Sequence, residues 1–385
     1  IVMINSRRYD LDWVRVLAFL IVIYFHAAII FIDGGLPLIQ NNEVSPSLDV
    51  FVTISSQFRI ALLFFVSGVG VAFARRRRNP AEFIRERSLR LLPPFLFGIL
   101  MVVPPIVYTE KLFLGQFDGS YLEFYPTFFT EGIYPKGNLS WHHFWFIAYL
   151  FLYCLMGVGV FKWFDDKGRA WLDQHFSAQK RFSIYKLIVP LIAIEILLRA
   201  FFPGFRDLIH DWASFFHWFL IFLAGFVIAH NEKLLDQITQ LRHISLIGAI
   251  SSTLFLFVFL GGADFGIHTS LPITTLVPAF ALYCVARMIM VWCAILTCVG
   301  YAGRYLRATT PGLSYLNEAV FPLFILHLTI IEILGFWVVG LDWSLWLKYL
   351  VITTLTIVLV LLIYQLLIRP FGFMRLLFGV KRKDA

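Results

Sequence analysis

Ten apolar runs, each long enough to cross a bilayer, recur along this 385-residue chain and constrain its fold more than any other feature. A membrane-spanning helix needs about 20 consecutive apolar residues, so a chain of this length holds about ten with short connections. The runs lie near residues 12–32, 50–73, 91–109, 141–161, 187–203, 213–230, 244–260, 270–299, 313–338 and 345–368. The expected fold is all-α: a polytopic transmembrane helical bundle of about ten spans in a single membrane-embedded domain, residues 1–385. Composition agrees, with 15% charged and 59% hydrophobic residues and a mean hydropathy of +0.79. Soluble proteins carry about 25% charged residues. A soluble enzyme, a disordered tail protein and a nucleic-acid binder are thereby excluded, and the net charge of +8 is read against the lipid bilayer.

Charge orients the bundle. With the N-terminus in the cytoplasm, 24 of the 32 Lys and Arg residues fall in inside loops, and only Lys111, Lys136, Arg206 and Lys348 lie outside. That asymmetry satisfies the positive-inside rule and places both termini on the cytoplasmic side. The first run, Trp13 to Ile32, is too long for a signal-peptide core and contains Arg15, so it reads as a retained span. Pro93-Pro94 fits the start of the third helix, and Pro104-Pro105 is expected to kink or end it. Cys154, Cys284, Cys293 and Cys298 all sit in apolar stretches without a C-x-x-C pair, which suits buried small hydrophobes.

Four arginines, Arg15, Arg59, Arg199 and Arg287, are left within or at the edges of spans. A charge in hydrocarbon costs about 2.5–3.5 kcal/mol even on insertion scales, so each needs a partner or a job. Arg15 and His26 are eleven residues apart. At 100° per residue they fall about 20° from eclipse on one helix face, roughly 16 Å apart along the axis. Together they outline a polar track from the cytoplasmic surface past mid-bilayer, with Asp12 placed to pair with Arg15. Arg59, in FRIALLFFVSGVG, is a candidate ligand for a carboxylate or an oxyanion, while Gly68 and Gly70 suit close helix approach.

Arg87 and Arg90 lie three apart on one helical face, where two guanidiniums can grip phosphates. Topology also accounts for basic residues there. The outer segment 110–141 is rich in Phe, Tyr, Gly and Pro, as an interfacial aromatic belt or a sugar-stacking platform would be. His142 and His143 open the fourth span without a metal-ligand spacing, so no metal is expected. Glu195 and Arg199 are spaced to neutralise each other, whereas Arg287 and His217 have no evident partner. In the ninth span, Glu318, His327 and Glu332 stand in apolar surroundings, with His327 at about the depth of His26.

Taken in order, DWVRVLAFLIVIYFH, FFVSG, RERSLRLLPPF, HHFWFIAYLF and FPLFILH resemble the integral membrane acyltransferase 3 family over about residues 9–340. The chain looks closest to the branch known as glucan biosynthesis protein C, a glucan succinyltransferase group. The family's arginine-to-histidine motif stands here as Arg15 and His26, and its arginine pair as Arg87 and Arg90. The resemblance implies transfer of an acyl group, succinyl or acetyl, from cytoplasmic acyl-CoA to a hydroxyl of a periplasmic or cell-surface glycan, in the inner membrane of a bacterium. Acyl-CoA is then a co-substrate, and no permanently bound cofactor is implied.

On this reading His26 is the general base, with Arg15 and Arg59 as oxyanion partners. Arg87 and Arg90 hold the acyl-CoA, while His143, Trp145, Glu318 and His327 bind acceptor or support the site. Buried His, Glu and Arg also build proton relays, so the competing expectation is a proton-coupled exporter of a glycan or organic anion. Two features weigh against it: the motif spacing, and the lack of visible symmetry between the two halves of the sequence.

Overall fold

A computed structural model describes residues 8–34, 39–75, 78–168, 170, 174, 182–204, 206–259 and 273–381. It is 80% helical with no strand among the described residues. Where lipid offers no hydrogen-bonding partner, a helix satisfies every backbone group within its own segment. The helices are α1 (Tyr9–Ile29), α2 (Pro46–Arg75), α3 (Pro80–Phe97), α4 (Val103–Phe113), α5 (Tyr121–Thr130), α6 (Trp145–Trp163) and α7 (Ile188–Leu198). They continue as α8 (Trp212–Ile228), α9 (Glu232–Gln240), α10 (Arg242–Phe259), α11 (Ile273–Tyr305), α12 (Pro311–Val338), α13 (Leu345–Ile363) and α14 (Gly372–Leu377).

Among the described residues, seven helical stretches are long and apolar enough to cross a membrane, and an eighth is added if α8 and α9, which meet at 109°, form one broken span. The other two of the ten expected runs are also helical, as α7 and α10, but α7 has only 11 residues. Residue 260 of the seventh run and residues 270–272 of the eighth lie outside the described ones. Several of the basic residues counted toward the inside loops (Arg7, Arg76, Arg77, Arg169, Lys180, Arg181, Arg382 and Lys383) are also outside them.

The third run corrects the expectation for the first proline pair. Its helix begins at Pro80, not Pro93, because Asn79 and Glu82 form a reciprocal capping box: Glu82 N–H donates to Asn79 Oδ1 (2.9 Å) and Asn79 N–H to Glu82 Oε2 (3.2 Å). Pro93 and Pro94 therefore lie inside α3. The second pair does not end the span either. A π-helical turn over Gly98–Val102 precedes it, and Pro104-Pro105 occupies the first turn of α4, where proline fits best. With no N–H on Pro104, the Leu100 carbonyl loses its i+4 donor. The Tyr125 hydroxyl donates to it instead at 3.0 Å.

The chain forms two compact units. The first comprises residues 1–18, 56–84 and 152–313. Its core depends on two glycines at a helix crossing: a Cβ on Gly68 would lie 1.9 Å from the Phe222 carbonyl oxygen, and one on Gly225 2.1 Å from that of Phe65. Only glycine lets α2 and α8 approach this closely, and Phe161 and Phe226 pack beside them with ring centroids 4.3 Å apart.

The second unit comprises residues 19–55, 85–151 and 314–385. Phe144 packs onto Gly98, where any Cβ would overlap its ring, and the Thr329 hydroxyl of α12 donates to the Val102 carbonyl at 2.8 Å. Lys348, counted by sequence among the outside-loop charges, is instead buried. It donates to Asn41 Oδ1 (3.0 Å) and the Val339 carbonyl (2.9 Å).

Candidate active site

Three histidines meet inside the second unit. His26 comes from α1, His327 from α12, and His143 from the 3-10 turn His142–Phe144 that precedes α6. His327 Nε2 lies 3.1 Å from His26 Nδ1, and the His143 and His327 ring centroids are 5.1 Å apart. Phe324, one turn before His327 on α12, lies under the group: its ring makes edge or tilted contacts with His143, His327, Phe19 and Phe146. His143 and His327 are buried, whereas His26 is half-buried.

The hydrogen bonds order the imidazole protons. His327 Nδ1 is 2.7 Å from the Phe324 carbonyl, which only accepts, so this nitrogen carries hydrogen and Nε2 of the neutral ring accepts. His26 Nδ1 faces the Val22 carbonyl at 3.0 Å and so also carries hydrogen, which it shares with His327 Nε2. The lone pair of neutral His26 is thereby left on Nε2. His143 donates through Nε2 to the Ile325 carbonyl (3.0 Å), which leaves its lone pair on Nδ1. The backbone of α12 thus sets the tautomers of two rings, and one of these, His327, sets the orientation of the third.

A second polar group lies in the same unit. The Tyr134 hydroxyl donates to Glu110 Oε1 at 3.1 Å, and Glu332, five residues past His327 and wholly buried, is within electrostatic reach of both. Burial, with the Glu110 carboxylate beside it, holds the Tyr134 phenol above its ordinary pKa. Sequence singled out neither Glu110 nor Tyr134, which face each other across 24 residues of chain.

The remaining candidates are distributed as follows. Arg87 and Arg90 share α3 in the second unit, with Arg87 buried and Arg90 half-buried. Trp145 is buried edge-on against Tyr149, with centroids 5.1 Å apart. Glu318 lies nine residues before His327, about 13.5 Å of helix rise away. Its carboxylate is engaged by Arg375 at 2.9 Å. Arg15 and Arg59 belong to the first unit. Arg15 is half-buried beside Gly70, where a Cβ would stand 3.2 Å from Nη2, and Arg59 is buried. Among the described residues no cluster of His, Cys, Asp or Glu is arranged to hold a metal.

The fold defines a multi-pass helical membrane protein, with three histidines gathered in its second unit. The chain belongs to the acyltransferase 3 family, whose Acyltransferase domain matches residues 8–365, and it is a membrane acyltransferase. No curated protein and no solved structure matches it.

Proposed function

We propose that the chain transfers an acyl group, succinyl or acetyl, from cytoplasmic acyl-CoA to a hydroxyl of an extracytoplasmic glycan, with His26 as general base. The observation that carries this reading is the shared hydrogen bond from His26 Nδ1–H to the Val22 carbonyl and His327 Nε2, which leaves the basic lone pair on Nε2 of the most accessible ring of the three. The acceptor oxygen attacks the thioester carbonyl carbon as its proton passes to His26 Nε2. The C–S bond then breaks, and His26 returns the proton to the departing thiolate. No net proton is gained or lost, and no covalent enzyme intermediate is required. A positioned base of this kind contributes about 10²–10⁴-fold.

His327 acts as a positioning residue that holds the His26 tautomer, and His143 extends the polar wall of the site. Arg87 and Arg90, in the same unit as His26, are the proposed anchors for the phosphates of the donor. The aromatic residues of segment 110–141 suit the apolar faces of a sugar, and the bacterial inner membrane is the proposed location. Labelled acyl-CoA supplied to proteoliposomes that enclose candidate glycans tests the reaction directly. If wild-type protein releases CoA but transfers no label to any glycan hydroxyl, the acceptor assignment is wrong.

A further inference from the structure

Glu195 is wholly buried in the first unit and is gripped from three elements. Arg199, one turn further along the chain, binds it with two parallel bonds, Nε to Oε2 at 2.9 Å and Nη2 to Oε1 at 2.8 Å. Arg287 of α11 donates to Oε2 at 2.9 Å, and His217 Nδ1 of α8 stands 3.3 Å from Oε1. The two guanidiniums are held from behind: Arg199 Nη1 donates to Ser214 (3.0 Å) and Arg287 Nε to Gln57 Oε1 of α2 (3.1 Å).

The charges in this cluster do not balance. One carboxylate faces two guanidiniums, and no second carboxylate contacts either of them among the described residues. Arg287 lies in a membrane-crossing stretch, where an uncompensated buried charge is strongly unfavourable. A purely structural clamp would need only the bidentate Glu195–Arg199 pair. Arg287, moreover, still has bonding capacity. Its Nε and Nη1 are used, its Nη2 makes no hydrogen bond to a described residue, and its side chain is 17% accessible.

We infer that this cluster is a binding site for an oxyanion group, carboxylate or phosphate, which docks on Arg287 Nη2 and neutralises the surplus positive charge. Glu195 and Gln57 then serve to hold Arg287 in place, its guanidinium plane fixed by one bond on each side. Nη2 carries two N–H donors, and their charge-assisted bonds to the oxygens of such a group are stronger than neutral ones. The site does not depend on the identity of the acyl donor or acceptor.

The test is thermal unfolding of the full chain in detergent, titrated with sodium acetate or with sodium phosphate against sodium chloride at equal ionic strength. Acetate probes a carboxylate and phosphate a phosphate group; a saturable rise in Tm with either, beyond that in chloride, is the expected result and identifies the group taken. Arg287→Gln should weaken the midpoint at least tenfold. Glu195→Gln should strengthen it, because it removes the internal competitor, a gain that a merely structural network would not produce. If wild-type protein shows no saturable effect beyond chloride, the inference is overturned, even should both variants fail to fold. An effect unchanged in Arg287→Gln overturns it as well.

Discussion

His26 and His327 stand 301 residues apart in sequence and share one hydrogen bond, with Nδ1 of the first 3.1 Å from Nε2 of the second. His327 Nδ1 is itself tied to the Phe324 carbonyl at 2.7 Å, and its accepting Nε2 faces His26. The base of the proposed reaction is thus oriented by a neutral partner and a backbone carbonyl.

His26→Ala is expected to lower transfer by about 10²–10⁴-fold. His327→Leu should lower kcat by a smaller factor, with little change in KM for the donor, and His327→Gln should restore part of it because the amide oxygen replaces the accepting nitrogen. Turnover of labelled acyl-CoA in proteoliposomes reads all three. Near wild-type turnover in His26→Ala would remove the base from this mechanism.

Arg87→Ala and Arg90→Ala are each expected to weaken acyl-CoA binding about tenfold or more and to flatten its dependence on salt, since each removes a charge-assisted contact to phosphate. Binding isotherms at two ionic strengths check this. Unchanged affinity in both variants would leave these arginines with the topological role alone.

At the α2–α8 crossing, Gly68→Ala and Gly225→Ala each drive a methyl group into a backbone carbonyl that has no rotamer to escape with. Each should cost about 1–3 kcal/mol or more. Gly159→Ala, where nothing lies within 4 Å, should stay within about 1 kcal/mol of wild type. Thermal unfolding in detergent compares them; equal stability for Gly68→Ala and Gly159→Ala would contradict the close crossing.

Tyr125→Phe leaves the Leu100 carbonyl, already deprived of a donor by Pro104, without its hydroxyl partner. A loss of about 0.5–1.5 kcal/mol is expected. In the Pro104→Ala background the helix supplies an N–H to that carbonyl, and the same substitution should cost less. A double-mutant cycle measures the difference.

The third run shows where sequence reading fell short. Pro93-Pro94 looked like a helix start because proline is disfavoured in helix interiors, yet Asn79-Pro80-Ala81-Glu82 is the stronger signal, with two reciprocal bonds closing the first turn. The alternation of spans counts Lys348 among the outside-loop charges. Its burial depends on Asn41 and on a carbonyl nine residues away, which no local pattern reveals.

Sequence by itself determined that the chain is a helical membrane protein, where its apolar segments lie, and that Arg15 and His26 share a helix face. These follow from hydrocarbon thickness and a 100° helical step, both local constraints. It also set His26 and His327 at similar depth. Only the tertiary structure decided which groups meet within each unit. The histidines come from three elements, and Glu195, Arg199, Arg287, His217 and Gln57 from several more. In sequence Glu195 and Arg199 formed a neutral pair, and Arg287 had no partner. Packing brought a second guanidinium to the same carboxylate and left a surplus charge in place of a balanced pair. Helical periodicity fixes the angle of a side chain about its own axis, but packing between helices decides which other axis it faces.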